Sequence, residues 1–498
     1  MVILGKTTSG ERIFLIFVLM VAGFLRLYRI NETLMFLGDQ GRDAIVAKRM
    51  LIDHDLTLIG PVTSVGNMYL GPFYYYFMVP WLALTYPNPV GPAMGVAVSG
   101  VATVFLVYLA TKKMFDQRAA MTATILYSFS SVAVHYSRFS WNPNLAPFFG
   151  LLVIYWLYRA VGRQEYRFWP YTLLAFGLLI QLHYTGLLVL PVIVTFLGFE
   201  LWRSQKRSQL VGRLVLGMVV LIVVSLPLII FDVRHNFINY QALQDFVNSP
   251  QGHLRGVQKV GLVLRELEGR SYRILPQLMG SRYPLSDRLI LLGMIGVTVW
   301  SWFSAAKRPL KRLAVGIIVV WLAMAILGTS FYNSGVFDHY LGFVFPAPFI
   351  LSGVCLAKLW RRHWLLKPLV ASIIGIFIVV NLRVMPIWQP ANPPVTAYAD
   401  AAKIILGLVG PGAKYNITLL SDTHDYKAMN YRYFLEVGSH PPASAEDYDK
   451  LDELYVIMEP PYTDPLSLDI YEIQRPGLTR TELGVNLYGQ IRLVRLVR

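Results

Sequence analysis

The stretch YLGPFYYYFMVPWLALTY, residues 69–86, decides how the chain is threaded. It is apolar enough to enter a bilayer, yet Gly71, Pro72 and Pro80 interrupt it. A crossing here would move every later loop to the other side of the membrane. Those loops carry five basic clusters: Lys112/Lys113/Arg118, Arg159/Arg163/Arg167, Arg203/Lys206/Arg207/Arg213, Lys307/Arg308/Lys311/Arg312 and Lys358/Arg361/Arg362/Lys367. Without a crossing at 69–86, all five share the side of Lys6 and Arg12; with one, all five lie opposite the N-terminus. Short cytoplasmic loops are the ones enriched in Lys and Arg. The run is therefore expected to be re-entrant or interfacial, with the N-terminus and the basic clusters inside.

Working outward, a spanning helix needs about 20 mainly apolar residues. Runs of that kind occupy 13–30, 91–110, 119–136, 144–160, 168–182, 184–202, 213–231, 287–305, 313–329, 340–357 and 366–384, which predicts about eleven spans. The outside then holds residues 31–90, the turns at 137–143 and 183, the loop 232–286, the turn 330–339 and everything after about residue 385. Basic residues in the two long outer loops weigh little, because long loops translocate largely regardless of charge.

Composition agrees. Of 498 residues, 55% are hydrophobic and only 15% charged, with mean hydropathy +0.49, whereas a soluble surface needs about a quarter charged residues. A net charge of +16 raises nucleic acid as a partner, but the basic residues sit in short clusters between apolar runs, so none is expected. The single cysteine, Cys355, lies in an apolar run and forms neither an intrachain disulfide nor part of a metal set. Residues 13–25 follow Lys6 and Arg12 like a signal peptide, but no small-residue cleavage site follows, so a retained helix is expected. From Pro390 onward the chain turns polar and Pro-punctuated, with strand-like runs at 415–420, 454–458 and 490–497 and helix-like runs at 397–408 and 426–436. The division expected is a membrane domain over 1–388 and a small α/β domain over 389–498. No Gly-rich nucleotide loop is present, so direct use of ATP is not expected.

Polar motifs gather on the expected outer face. Gly38-Asp39-Gln40-Gly41-Arg42-Asp43 puts two carboxylates and a guanidinium just past the first span. A carboxylate against an apolar wall can serve as a base, and an Arg fork suits a phosphate; the competing reading is a solvated helix start capped by Asp39 or Asp43. The segment 135–144, which includes Arg138, Asn142 and Asn144, either binds a sugar or headgroup or is an interfacial aromatic belt. His183 and Tyr184 form a very tight turn, read either as a cavity mouth or as a cap. In 332–340, Asp338 and His339 can pair and leave Tyr340 to a phosphate, or the turn is simply interfacial. Arg234, His235, Arg255, Lys259, Arg265, Arg270, Arg273 and Arg282 meet an anionic partner or form a solvated face.

Taken in order, these elements resemble the GT-C membrane glycosyltransferases, in particular the protein-O-mannosyltransferase-like group that includes bacterial lipid A aminoarabinose transferases. The resemblance spans roughly the first 385 residues. It comprises the acidic first-loop motif, the aromatic stretch Tyr69 to Tyr76, a Pro-containing turn before the fourth span, the turn running into Thr185-Gly186-Leu187-Leu188, and His339-Tyr340-Leu341 entering a span with Pro346 and Pro348. It implies an all-α polytopic fold in the inner or plasma membrane, N-in and C-out. It also implies a polyprenyl-phosphate monosaccharide donor, a protein, lipid or glycan acceptor, membrane lipid as surroundings, and an extracytoplasmic active site. Asp39 would be the base near the acceptor hydroxyl, with Asp43 also catalytic. The family's second carboxyl place holds Gln40 here. Arg42, Arg138, His339 and Tyr340 would hold the donor phosphate; Tyr74, Asn142, Asn144, His183, Tyr184 and Asp338 would face sugar or acceptor. No cofactor is specified, and a divalent metal is left open. The rival readings are a lipid or sugar transporter or flippase, and a glycan polymerase or ligase using a polyprenyl-diphosphate donor. A transporter would place charges and broken helices at mid-membrane, whereas here the polar groups gather at one face.

Overall fold

The structure, a computed structural model, describes residues 8–63, 68–248, 258–280, 284–332, 335–461 and 464–498. Lys6, Arg255, Arg282, Asn333 and Ser334 lie outside the described residues. The membrane part runs through α1 (Ser9–Leu27), α2 (Gly38–Lys48), α3 (Phe73–Thr85), α4 (Val90–Met114), α5 (Gln117–Phe129), α6 (Ser131–His135), α7 (Ala146–Gly162) and α8 (Trp169–Leu182). It continues through α9 (Leu190–Arg203), α10 (Arg207–Arg234), α11 (Ile238–Asn248), α12 (Gln258–Ile274), α13 (Pro284–Ser304), α14 (Pro309–Ser330), α15 (Pro346–Arg362) and α16 (Leu366–Arg383). Prolines open many of these helices, where the missing N–H costs nothing: Pro147, Pro170, Pro191, Pro309 and Pro346 all sit in first turns.

Among the described residues, seven helices are long and apolar enough to cross a membrane, or eight if Asp338–Val344 and Pro346–Arg362, bent by 56°, form one span. The remaining expected spans are helical but compromised. α1 carries Glu11, Arg12 and Arg26; the run 119–136 breaks between α5 and α6, where Ser130 caps the second piece by accepting from the Ala133 N–H at 3.2 Å; α8 has only 14 residues. The deciding stretch 69–86 yields α3, 13 residues long and hence about 20 Å, too short for a hydrocarbon core of about 30 Å.

Ion pairs tie the basic loops together at one end of the bundle. Asp116 meets Lys311 at 3.3 Å and Arg361 at 2.9 Å, joining three of the five clusters. Glu11 takes Lys112 and Tyr108, Arg203 donates to the Val161 carbonyl, and Gln164 reaches Glu200 at 3.1 Å. The opposite end carries α2, the turns at 142 and 183, and the C-terminal α/β domain. That domain contains α17 (Val395–Leu408), α18 (Met429–Val437) and strands β1 (Tyr415–Leu420), β2 (Glu453–Met458), β3 (Arg480–Asn486) and β4 (Arg492–Val497). The sheet order is β1-β2-β4-β3, with β1 and β2 parallel and the other two pairings antiparallel. Its inner face does not close on itself. Ile417, Tyr398, Tyr433 and Ile405 share one core with Ile30, Leu34, Phe36, Ala44 and Ile45 of the first outer segment.

Candidate active site

α2 starts because Gln40 turns back to accept the Leu37 N–H at 2.9 Å, satisfying a free helix-end donor. The residue at the family's second carboxyl place is thus spent on capping. Along the next turn, the Arg42 guanidinium bridges two acids: Nη1 donates to Asp39 Oδ1 at 2.8 Å, while Nε and Nη2 donate to Asp43 Oδ1 at 3.0 and 2.8 Å. The two carboxylates differ in setting. Asp43 is fully buried and also accepts from the Tyr75 hydroxyl at 3.1 Å, whereas the Asp39 side chain is 48% exposed. Burial pushes the Asp43 carboxyl up from its ordinary range, against the opposing charge of Arg42. Arg42 loses water too, but its two acids outweigh that and hold its guanidinium firmly protonated.

Asp39 and Arg42 open onto a cavity of about 750 Å³. Trp141, Asn142, His183, Tyr184, His339 and Tyr340 are in its lining. Leu187, Leu188, Leu228, Ile229, Leu243 and Phe246 add apolar surface to it. Four of the rings cluster: His339 lies 4.2 Å from Trp141 and 4.6 Å from Tyr340, and His183 lies 4.8 Å from Tyr340, centroid to centroid. His183 Nδ1 meets Thr185 Oγ1 at 2.9 Å, and that hydroxyl bonds the Tyr340 carbonyl at 2.8 Å, so the two turns are stitched together. Burial, helped by neighbouring His339, lowers the His183 imidazole to about 3, which keeps it neutral.

Of the residues singled out in the sequence, seven line the cavity: Asp39, Arg42, Asn142, His183, Tyr184, His339 and Tyr340. The others lie elsewhere. Arg138 is buried and caps the end of α1, donating to the Leu25 and Tyr28 carbonyls at 2.9 and 2.8 Å and to Thr33, as cations do at helix C-termini. Tyr74 is buried behind the wall with its hydroxyl 2.6 Å from Ser140 Oγ, and Asn144 bonds the Phe139 carbonyl at 2.9 Å. Asp338 does not pair with His339, because Arg273 from the end of α12 reaches it first, at 2.7 Å. Asp43 stands behind Arg42 rather than in the cavity wall. Among the described residues, no three His, Cys, Asp or Glu side chains are grouped to hold a metal ion.

Three contributors had little local signal. Asp232 and Asn239, at the outer end of α10 and the start of α11, line the cavity; an acid directly after the apolar run 213–231 was the only hint. Asn239 pairs with the Tyr69 backbone, accepting its N–H at 2.7 Å and donating to its carbonyl at 3.1 Å. Tyr69 bridges Val62 in antiparallel fashion, and Pro61, Val62, Thr63, Met68 and Leu70 form another part of the cavity lining. The third contributor, Asp425, arrives from the C-terminal domain and touches Gly38.

Residues 71–231 match the family described as dolichyl-phosphate-mannose-protein mannosyltransferase. Among solved structures, ArnT from Cupriavidus metallidurans bound to undecaprenyl phosphate superposes with TM-score 0.63 at 17% identity, over 98% of each chain. The archaeal oligosaccharyltransferase AglB from Archaeoglobus fulgidus, in complex with an inhibitory peptide and a dolichol-phosphate, gives TM-score 0.57 at 13% identity, over 91% of this chain and 69% of that one. No curated protein matches the sequence. At these identities the structural likeness carries the fold alone, a GT-C membrane fold like that of ArnT and AglB, and over residues 71–231 the chain is similar to the protein-O-mannosyltransferase-like group, as the sequence resemblance predicts.

Proposed function

We propose that the protein moves a monosaccharide from a polyprenyl-phosphate donor to an acceptor hydroxyl, with inversion, on the extracytoplasmic face. The observation that carries this reading is one cavity lined both by Asp39, Arg42 and a cluster of polar rings and by a set of leucine, isoleucine and phenylalanine side chains. An amphipathic donor needs both kinds of lining. The apolar side chains take the first isoprene units, Arg42 faces the phosphate, and the sugar lies toward Asp39 and the ring cluster. The basic loops at the opposite end support an outward orientation for this cavity. ArnT with undecaprenyl phosphate and AglB with a dolichol-phosphate support a lipid phosphate as the donor's leaving group.

In the proposed step Asp39 accepts the proton of the acceptor hydroxyl as that oxygen bonds to the anomeric carbon. The bond from that carbon to the phosphate oxygen breaks, and its electron pair leaves with the lipid phosphate. Arg42 stabilises the charge, with His339 and Tyr340 beside it. Asp43 fixes the Arg42 fork instead of reacting. Residues 1–388 are then the catalytic domain, and 389–498 cover the acceptor side.

The test is Asp39→Asn in purified protein with undecaprenyl-phosphate mannose as donor, in detergent and without a gradient. Loss of the base should cut transfer about 10²- to 10⁴-fold while undecaprenyl phosphate still binds. Undiminished transfer would remove Asp39 as the base. Transfer without a gradient also separates an enzyme from a flippase.

A further inference from the structure

The helix that carries Asp39 and Arg42 is held from both sides, and one of those sides is not in the membrane. Gly38 and Gly41, one helical turn apart, face the C-terminal domain. A Cβ on Gly41 would sit 2.3 Å from the Met429 carbonyl oxygen, and one on Gly38 would sit 2.0 Å from Asp425 Oδ2. Real Cβ atoms do not approach that closely, so both glycines are what let α18 and the turn before it lie against the α2 backbone. The contact is extended at each end. Phe36, just before α2, has its ring among Tyr398, Tyr433 and Phe434 at 6.2, 5.8 and 5.9 Å. Arg49, just after it, pairs with Glu436 of α18 at 2.9 Å. The Tyr433 hydroxyl donates to the Pro87 carbonyl at 2.8 Å, tying the same helix to the segment between α3 and α4. From the membrane side, Tyr75 of α3 holds Asp43.

We infer that the C-terminal domain acts as a brace that sets the position of the cavity-facing turn of α2, with Gly38, Gly41 and Asp425 as positioning residues. The reason is spacing on one helix. Gly38 and Gly41 are each followed at once by the residues that open on the cavity, Asp39 and Arg42. Whatever shifts the glycine face against α18 therefore rotates Asp39 and Arg42 relative to His339 and Tyr340. Asp425 sits at the point of closest approach: it lies in the turn just before α18, and its Oδ2 is buried against Gly38 with no hydrogen-bond partner among the described residues. A misplacement of about 1 Å in a reacting group costs on the order of 10²-fold in rate, which makes such a brace part of the catalytic apparatus.

This inference rests on the reading of Arg42 as the phosphate ligand, and the experiment keeps the two apart. Full-length Gly41→Val and Asp425→Asn proteins are purified, and two quantities are read: amide hydrogen exchange over residues 38–48 and affinity for undecaprenyl phosphate. The brace predicts faster exchange in α2 and roughly tenfold weaker undecaprenyl phosphate binding in Gly41→Val, a change of about 1.4 kcal/mol, with smaller changes of the same sign in Asp425→Asn. Exchange in β1 and β2 should stay as in the parent, which shows that the domain itself is folded. Parent-like exchange in α2 and parent-like affinity in both variants overturn the brace. Arg42→Ala is the control: if it binds undecaprenyl phosphate as the parent does, the phosphate role fails, and the α2 exchange alone then decides the brace.

Discussion

Arg42 is the residue on which the site turns, because one guanidinium serves two carboxylates in different settings. Asp43 offers one oxygen to three donors and has no exposed surface, so its place is fixed; among the described residues Asp39 is held by Arg42 alone, and it remains half open to the cavity. The proposed base needs that freedom and the proposed positioning acid does not. His183 supplies a second consequence at this scale. The unfolded chain takes up a proton on this imidazole near pH 6.5, while the folded protein refuses it until about pH 3. Between those values the unfolded state binds more protons, so folding stability falls as pH falls. Thermal unfolding in detergent should therefore lose midpoint from pH 7 to pH 4, and His183→Gln should flatten that slope. An unchanged slope in the variant would mean that the histidine is solvated in the fold.

At the scale of elements, the antiparallel pair Val62 and Tyr69 in the cavity lining depends on a neighbour far away in sequence. Asn239 satisfies both backbone groups of Tyr69, the Tyr184 hydroxyl adds a bond to the same carbonyl at 2.6 Å, and Asp232 holds the Asn239 N–H at 2.7 Å. Asn239→Ala leaves a backbone N–H without its partner, a loss of about 1–3 kcal/mol if it stays dry. The expected outcome is a KM for the polyprenyl-phosphate donor raised roughly tenfold with kcat changed far less, measured by varying donor at saturating acceptor. An equal fall in kcat would instead place Asn239 in the chemistry. Such pairings explain what the sequence left unread. Apolar runs, prolines and basic loops act locally, so the apolar helices are legible from them, as are β1, β2, β4, α17 and α18, whereas α11 and α12 lie in what reads only as a long outer loop. The strand β3 was missed because it pairs on one side only, contains Gly484, and shifts register between Thr481 and Leu483. Asp39, Arg42, His183 and His339 were legible as polar residues at helix ends. Asn239 and Asp425 were not, because what gives them meaning is a partner 170 or more positions away.

For the whole molecule, the question is which way the two ends face. The end joined by Asp116, Lys311 and Arg361 and the end carrying Asp39 are separated by the length of the bundle, so one label at each decides the orientation. With Cys355 replaced by Ala, Asp55→Cys near α2 should react with an impermeant maleimide in intact cells, and Arg207→Cys at the basic end should react only after lysis. The opposite pattern would leave the proposed donor and acceptor on the wrong side. The tail also behaves differently from a free-standing module. Its inner face shares a core with residues 30–45, so the membrane part and the α/β part complete one another.

α10 sets the height at which all this happens. Its 28 residues make a rod about 42 Å long, against hydrocarbon about 30 Å thick. Its excess lies at the basic start, Arg207 to Arg213; the apolar run from Leu214 to Phe231 fills most of the oil, so Asp232 and the neighbouring Asn239 stand at its outer border. The chamber floor then sits level with the lipid headgroups, so the proposed donor, a sugar on a polyprenyl chain, would keep its hydroxyls wet throughout, and only the grease it hangs from would have to slide between helices.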